Sequence, residues 1–495
     1  MKISISYPPI KSEKGVPLLS QNRQFQYFKS PTYIYPVVPS YAATMLNNSG
    51  YEVLWDDGIA EEKTYDQWLK DLENSHPDII MIETKTPVVK KHWAIINDVK
   101  NILSSSKVVL VGDHVTALPE ESMNQSKVDF VLTGGDYDFL LLNLANFLTG
   151  KAKALEPGIW YRENGNITST GSFKLDHSLD DLPHINRDLT KWYLYNKRNG
   201  NFKVTPGAYT MAGRDCWWRK DGGCSFCSWP TLYPTFRVMK PERLADEIGL
   251  LIENYGVKSV FDDTGCFPAG EWLRRFANLM IERGYNKKIQ FCCNMRFGAL
   301  TRDDYRLMKK AGFRMLLFGV ESGSQATLDR LNKGTKIDDI MNEVRIPQEE
   351  GLEPHITIMV GYPWENRQDA LSTLNVAKTM MQKGWALTLQ STVVIPYPGS
   401  KLYAEAVTNG WFRVDPKDYE RFDMKEPVMN TPDMTPEEVM KLCDEIYKVF
   451  LTPKYMLKQM VRIRSFRDLK YSVKGAAKVI GHVKDFGKSK DTEQV

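Results

Sequence analysis

The stretch RDCWWRKDGGCSFCSWP, residues 214–230, crowds three of the chain's seven cysteines into one loop rich in glycine and aromatic residues. Cys216, Cys224 and Cys227 are spaced C-x7-C-x2-C. Three thiols are one too few for a closed tetrahedral zinc site. Thiolate donors suit either zinc or an iron–sulfur cluster, and His177, His184 and His355 all lie too far away in sequence to complete a local pair. Position narrows the choice. GAYTMAG (207–213), just before the loop, reads as a strand, and five helix–strand pairs follow it, ending in the strands VKSVFDD, KIQFCCNMR, RMLLFGVES, PHITIMVGYP and LTLQSTVVIPYPG. Six βα units predict a partial or full parallel barrel with its chemistry at the carboxyl ends of the strands. A [4Fe–4S] cluster with one iron left open to a small molecule fits that place; a three-cysteine zinc site is the rival.

Upstream, the first 150 residues alternate helical patterns with five short apolar runs: KISISY (2–7), YEVLWDD (51–57), PDIIMIET (77–84), KVVLVGD (107–113) and VDFVLTGG (128–135). Near-continuous Val/Ile runs mark strands buried on both faces, so this part predicts a doubly wound, Rossmann-like α/β domain with ligands at the strand ends. Residues 151–205 read as a linker carrying a hairpin around Asn164-Gly165. Residues 206–410 form the barrel. Residues 411–495 read as a helical C-terminal domain, opened by a Thr-x-x-Glu capping box at TPEE, with a polar tail over 478–495.

The bulk composition sets limits on function. A chain of 495 residues implies two or three domains. A net charge of +4 gives no support to a dedicated nucleic-acid binder. No apolar run approaches the length of a membrane span, MKISISYPPI lacks a signal peptide's apolar core, and seven cysteines are poor disulfide arithmetic. The expected location is cytoplasmic. The basic stretch YMLKQMVRIRSFRDLKYSVKG (455–475) has an amphipathic pattern that suits either a solvated face or peripheral membrane contact.

Several motifs, in order and at family spacing, then carry a resemblance. GVESGSQATLDRLNKGT (319–335), IMVGYPWEN (358–366), IPYPGSKLY (395–403) and VLVGDHVTALPEE with VDFVLTGGDYD resemble the segments of radical S-adenosylmethionine (SAM) enzymes that carry an N-terminal cobalamin-binding domain, the class B radical SAM methyltransferase family. The resemblance implies that Cys216, Cys224 and Cys227 hold a [4Fe–4S] cluster, with Phe226 beside it, and that SAM takes the open iron. It implies SAM contacts from Asp262, Asp263, Arg296, Glu321 and Ser322, with Gly361 and Pro363 shaping the turn after the fifth strand. For cobalamin it implies Tyr7, with Pro8 and Pro9, at the end of the first strand, Gly112, Asp113, His114 and Thr116 at another, and Gly134, Gly135 and Asp136 at the next. Cys266, Cys292, Cys293 and Cys443 read as small buried hydrophobes, Cys266 lying at a strand end; Trp217 and Trp218 read as either a substrate wall or loop packing.

The sequence departs from the family pattern at three places. The first cysteine gap is seven residues, where the usual spacing is C-x3-C-x2-C. The acidic turn reads GGD, and no D-x-H-x-x-G motif supplies a histidine below cobalt. No cysteine precedes Cys216, so the second cluster of a methylthiotransferase has no ligands here. The expected activity is methyl transfer from methylcobalamin to an unactivated carbon by way of a 5′-deoxyadenosyl radical, with an external electron donor such as flavodoxin or ferredoxin and an organic substrate (peptide, natural product or lipid). The alternatives are a non-methylating cobalamin-dependent radical enzyme catalysing ring contraction, cyclisation or C–C coupling, and a zinc-stabilised binding protein.

Overall fold

The apolar runs of the first third pair as parallel strands: β1 (Lys2–Tyr7), β2 (Glu52–Asp57), β3 (Ile79–Glu83), β4 (Lys107–Val111) and β5 (Phe130–Leu132), in the order 2-1-3-4-5. All of β3 is buried, as strands covered by helices on both faces must be. The order reverses between β1 and β3, the switch point at which doubly wound sheets bind ligands. In this computed structural model, residues 1–19, 25–29, 31–463 and 473 are described. The hairpin expected in the linker forms as β6 (Ile159–Glu163) and β7 (Asn166–Ser169), with Asn164 and Gly165 at φ 50° and 83° in its turn. It is not a separate linker element: β6 pairs antiparallel with β5 and makes the sheet seven-stranded. A hairpin with one apolar face finds at the sheet edge the burial it cannot make alone.

The second sheet holds six parallel strands in chain order: β8 (Gly207–Thr210), β9 (Ser259–Asp262), β10 (Gln290–Met295), β11 (Phe313–Glu321), β12 (Glu353–Val360) and β13 (Thr388–Val393). β8 and β13 are its two edges, so the barrel is partial. The connecting helices follow their sequence signals. Pro241–Tyr255 begins with Pro at its first position and stops at Gly256 in the left-handed region, while Arg302–Lys310 and Arg367–Gln382 start from the capping boxes of Thr301 and Asn366. The predicted Thr435 box opens Pro436–Tyr447. This helix covers the β13 edge: the Tyr447 hydroxyl accepts from the Ser391 amide and donates to its carbonyl. The last described helix, Pro453–Arg462, follows. The tail 478–495, and residues 464–472 and 474–475 of the amphipathic stretch, lie outside the described residues. Among those described, no helix is long and apolar enough to cross a membrane.

The two sheets are joined by ion pairs immediately before the cysteine loop. Arg214, 1% exposed, reaches Asp136 (2.5 Å) and grips Asp138 with both terminal nitrogens; Arg237 holds Asp136 through two bonds of 2.5 and 2.9 Å. Burial alone would raise Asp136, but the two guanidiniums outweigh it and hold its carboxyl below the ordinary range.

Candidate functional site

The cysteine loop leaves β8 through Asp215, a non-glycine residue at φ 78° whose carboxylate is held bidentately by Arg219 (2.6 and 3.1 Å). The insert Trp217–Asp221 is a single 3₁₀ turn. It is locked to the segment after β11: Trp218 Nε1 donates to the Asn332 carbonyl (2.7 Å), and Asn332 Nδ2 donates to the carbonyls of Asp221 and Gly223 (2.8 and 2.9 Å). The Trp218 ring lies on the backbone of Gly334, where a Cβ would sit 2.1 Å from it. The glycine of the NKGT segment therefore accommodates the longer first cysteine gap.

Cys216, Cys224 and Cys227 all line one cavity of about 640 Å³ inside the partial barrel. Among the described residues, no three His, Cys, Asp or Glu side chains converge where they could hold a single metal ion. A cluster, whose irons each take one thiolate, needs ligands that stand apart. Burial pushes the Cys224 thiol up, and the charges of Lys333 and Arg296 offset that only in part.

Arg296, at the end of β10, lies in the same cavity with its guanidinium 4.0 Å from the Trp218 ring centroid. It is 6% exposed and its Nη2 has no hydrogen-bond partner. A buried, unpaired guanidinium nitrogen at a cavity wall is matched by a ligand carboxylate. Glu321 ends β11 at φ 70°, beside a register shift, and its carboxylate meets buried Lys333 at 2.7 Å. Burial would lower Lys333, but Glu321 and Cys224 together outweigh it and keep the ammonium charged. Two strained non-glycine residues, Asp215 and Glu321, thus frame the three thiols, as expected where a site fixes its own geometry. Asp263, Phe226 and Cys266 also line the cavity.

Other predicted contacts have different tasks. Asp262 lies wholly below the cavity wall. It accepts from Thr210 (2.9 Å) and from the amides of Ala212 and Thr264 (2.8 and 3.1 Å), tying β8 to β9. Ser322 is also fully buried and donates to Glu365 (2.7 Å), joining the β11 motif to the one after β12. Burial raises Glu365 to about 7, so near neutral pH it is partly protonated. Gly361 makes its turn at φ 87° and packs on Val439. Cys292, Cys293 and Cys443 are buried, as read.

The strand ends of the first sheet also depart from expectation. Gly134, Gly135 and Asp136 face the barrel: a Cβ on Gly135 would fall 1.7 Å from the Tyr233 ring, Gly134 lies under Phe173, and Asp136 is consumed by Arg214 and Arg237. His114 is fully buried, its ring edge-on to Tyr419 at 4.7 Å and 3.2 Å from the Thr86 hydroxyl. Gly112 passes so close to Thr84 that a Cβ would meet its carbonyl oxygen at 2.2 Å; Thr116 donates to the Gly112 carbonyl, and Asp113 opens the short helix between them. Tyr7 donates to Glu83, which also accepts from Tyr137 (3.1 Å). Of the expected cobalamin contacts, Tyr7 lines a cavity of about 20 Å³ shared with Asp57 and Tyr195. Leu18, Thr32 and Ile34 line both cavities and so stand between them. The cluster and SAM fit the residues present, and through Leu18, Thr32 and Ile34 the large cavity reaches toward the strand ends of the first sheet.

Arg214, Asn332, Lys333, Gly334 and Glu365 are the site residues that sequence reasoning missed. Lys333 and Gly334 stood inside the quoted 319–335 motif, but only the return of that segment onto the insert reveals their partners.

The Radical SAM superfamily profile matches residues 213–377. An uncharacterized methyltransferase of Pyrococcus horikoshii is 26% identical over 450 residues, covering 90% of this chain and 94% of that one. The structure is similar to the radical SAM methyltransferase TsrM from Kitasatospora setae, solved with cobalamin and a [4Fe–4S] cluster (TM-score 0.67, 13% identity, 90% of this chain and 88% of that one). It is similar also to the cobalamin-dependent SAM radical enzyme OxsB, solved with aqua-cobalamin and SAM (TM-score 0.69, 14% identity, 98% and 71%). Residues 213–377 thus match the Radical SAM superfamily, within a chain whose fold is similar to those of TsrM and OxsB.

Proposed function

We propose that the protein is a cobalamin-dependent radical SAM methyltransferase acting on an unactivated carbon of an organic substrate. The observation that carries the reading is the convergence, in one cavity, of three cysteines with an unpartnered buried guanidinium nitrogen and a charged Glu321–Lys333 pair. Cys216, Cys224 and Cys227 would hold the cluster. When bound, the cluster supplies reductive cleavage of SAM and cobalamin a transferable methyl group. Arg296 would fix the SAM carboxylate, and Glu321 would accept from its amino group. Lys333, neutralising Glu321 and facing Cys224, keeps the net charge beside the cluster low. Cavity walls such as Leu317, Met359 and Leu389 exclude water and hold the acceptor carbon in line. The cobalamin seat is proposed at the strand ends of the first sheet, on the strength of the shared architecture. A one-electron donor of flavodoxin or ferredoxin type would complete the system.

Anaerobically reconstituted protein is expected to bind about four irons with matching sulfide, to take up cobalamin with its visible spectrum altered, and to release 5′-deoxyadenosine from SAM. Cys224→Ala should lose the cluster and that product together. Zinc without sulfide in the wild type, or 5′-deoxyadenosine still formed by the variant, would overturn the assignment.

A further inference from the structure

The last described helix, Pro453–Arg462, presents two unlike faces. One is anchored to the amino-terminal end of β13 and the turn before it. Tyr455 donates to the Leu387 carbonyl (2.9 Å), Arg462 to the Gly384 carbonyl (2.7 Å) and Lys458 to the Lys383 carbonyl. The opposite face carries Met456, Leu457, Met460 and Val461, at 53, 63, 66 and 81% exposure. The i, i+1, i+4, i+5 spacing aligns them as one continuous apolar stripe. Single exposed apolar residues are ordinary; four adjoining ones on one helix face are not.

Charge identifies what would cover the stripe. Between residues 454 and 474 the sequence holds seven Lys or Arg against one acidic residue, Asp468. An exposed apolar stripe within a strongly basic segment is complementary to a surface that offers apolar depth and negative charge together, which is an anionic lipid bilayer. A second copy of this chain would bring the same positive charge to the contact and be repelled. We propose that Met456, Leu457, Met460 and Val461 form a membrane-docking face, with the helix in the plane of an anionic bilayer and the barrel held at the surface by the Tyr455 and Arg462 anchors. The proposal does not depend on the radical chemistry.

The test uses the full-length protein and sedimentation with vesicles of phosphatidylcholine alone or mixed with phosphatidylglycerol, at low and high salt. The wild type should sediment with the mixed vesicles at low salt, lose most of that binding at high salt as the Debye length shrinks, and not sediment with phosphatidylcholine alone. Leu457→Glu/Val461→Glu, which alters two side chains more than half exposed, should lose the binding about tenfold or more while its melting temperature and cavity chemistry stay those of the wild type. The proposal is overturned if the wild type stays in solution, if it binds phosphatidylcholine alone equally well, or if the double variant still sediments. It is overturned equally if velocity sedimentation shows a wild-type dimer that the double variant dissolves, because the stripe is then a face between copies.

Discussion

Arg296 illustrates how one side chain can be readable in type and unreadable in state. Its place at the end of β10 follows from the strand pattern. The missing partner on Nη2 and the stack on Trp218 follow only from the fold. A charged hydrogen bond of this kind contributes about 1.5–3 kcal/mol, so Arg296→Gln should weaken SAM binding about tenfold to hundredfold, measured by equilibrium binding to the reconstituted protein, with iron content unchanged. Arg296→Lys keeps the charge but not the planar fork, and should fall between the two. Unaltered SAM affinity in the glutamine variant would remove Arg296 from the site. Glu83 gives a second residue-scale prediction. Burial pushes it up to about 7 from an ordinary 4.5. Between those values the folded protein keeps a proton that the unfolded chain has lost, so stability falls as pH rises, by about 3 kcal/mol at full expression. Asp57, raised by burial to about 6, acts in the same direction at lower pH. The melting temperature of the apoprotein should therefore decline from pH 5 to 8, and Glu83→Gln should flatten the upper part of that decline. An equal slope in the variant would mean that the Tyr7–Glu83–Tyr137 cluster titrates elsewhere.

At the scale of elements, the strand runs of both sheets could be read directly, because parallel strands buried on two faces leave a nearly uninterrupted apolar signature. KISISY became β1 over the same six residues, and the capping box at Thr435 opened its helix as predicted. What could not be read was the use of polar residues at strand ends. Asp262, Ser322 and Asp136 have the chemistry of ligand contacts, yet each is satisfied by a neighbour far away in sequence. Local sequence specifies a donor or acceptor; tertiary packing chooses its partner. The hairpin obeys the same rule: Asn164-Gly165 specifies its turn, while its docking on β5 is a non-local event. The insert between the first two cysteines is the element whose role the structure changes most. Clamped by Asn332 and seated on Gly334, it supports the ring that Arg296 stacks upon. Gly334→Val places a branched side chain at φ 63° and inside the Trp218 ring, so the ring must move. The expected result is quenched or shifted Trp218 fluorescence and SAM affinity reduced to the level of Arg296→Gln, with the cluster retained. Normal SAM affinity would show that the insert plays no part in holding Arg296.

At the scale of the whole molecule, the question is what keeps the first sheet fixed to a cysteine loop that belongs to the second. The buried pairs of Arg214 and Arg237 with Asp136 and Asp138 are the charged part of that junction, and Arg214 stands two residues before Cys216. A buried pair adds little over a well-packed apolar pair, but removing one partner strands the other and costs about 3–5 kcal/mol. Arg214→Met should therefore destabilise the protein by about that amount, because Asp138 loses its only guanidinium partner among the described residues while Asp136 keeps Arg237. Adding Asp138→Leu removes the stranded carboxylate and should return most of the lost stability. The two readouts then separate. If Arg214 serves only stability, the double variant regains full iron incorporation along with its melting temperature. If Arg214 also sets the angle at which the loop leaves the sheet, the double variant melts normally but incorporates the cluster poorly or shows an altered electron paramagnetic resonance signal. We expect the second outcome, because Asp215, between Arg214 and Cys216, is held in a left-handed conformation that only fixed neighbours on both sides sustain. A double variant as unstable as Arg214→Met would sink the view that the junction is governed by a stranded charge.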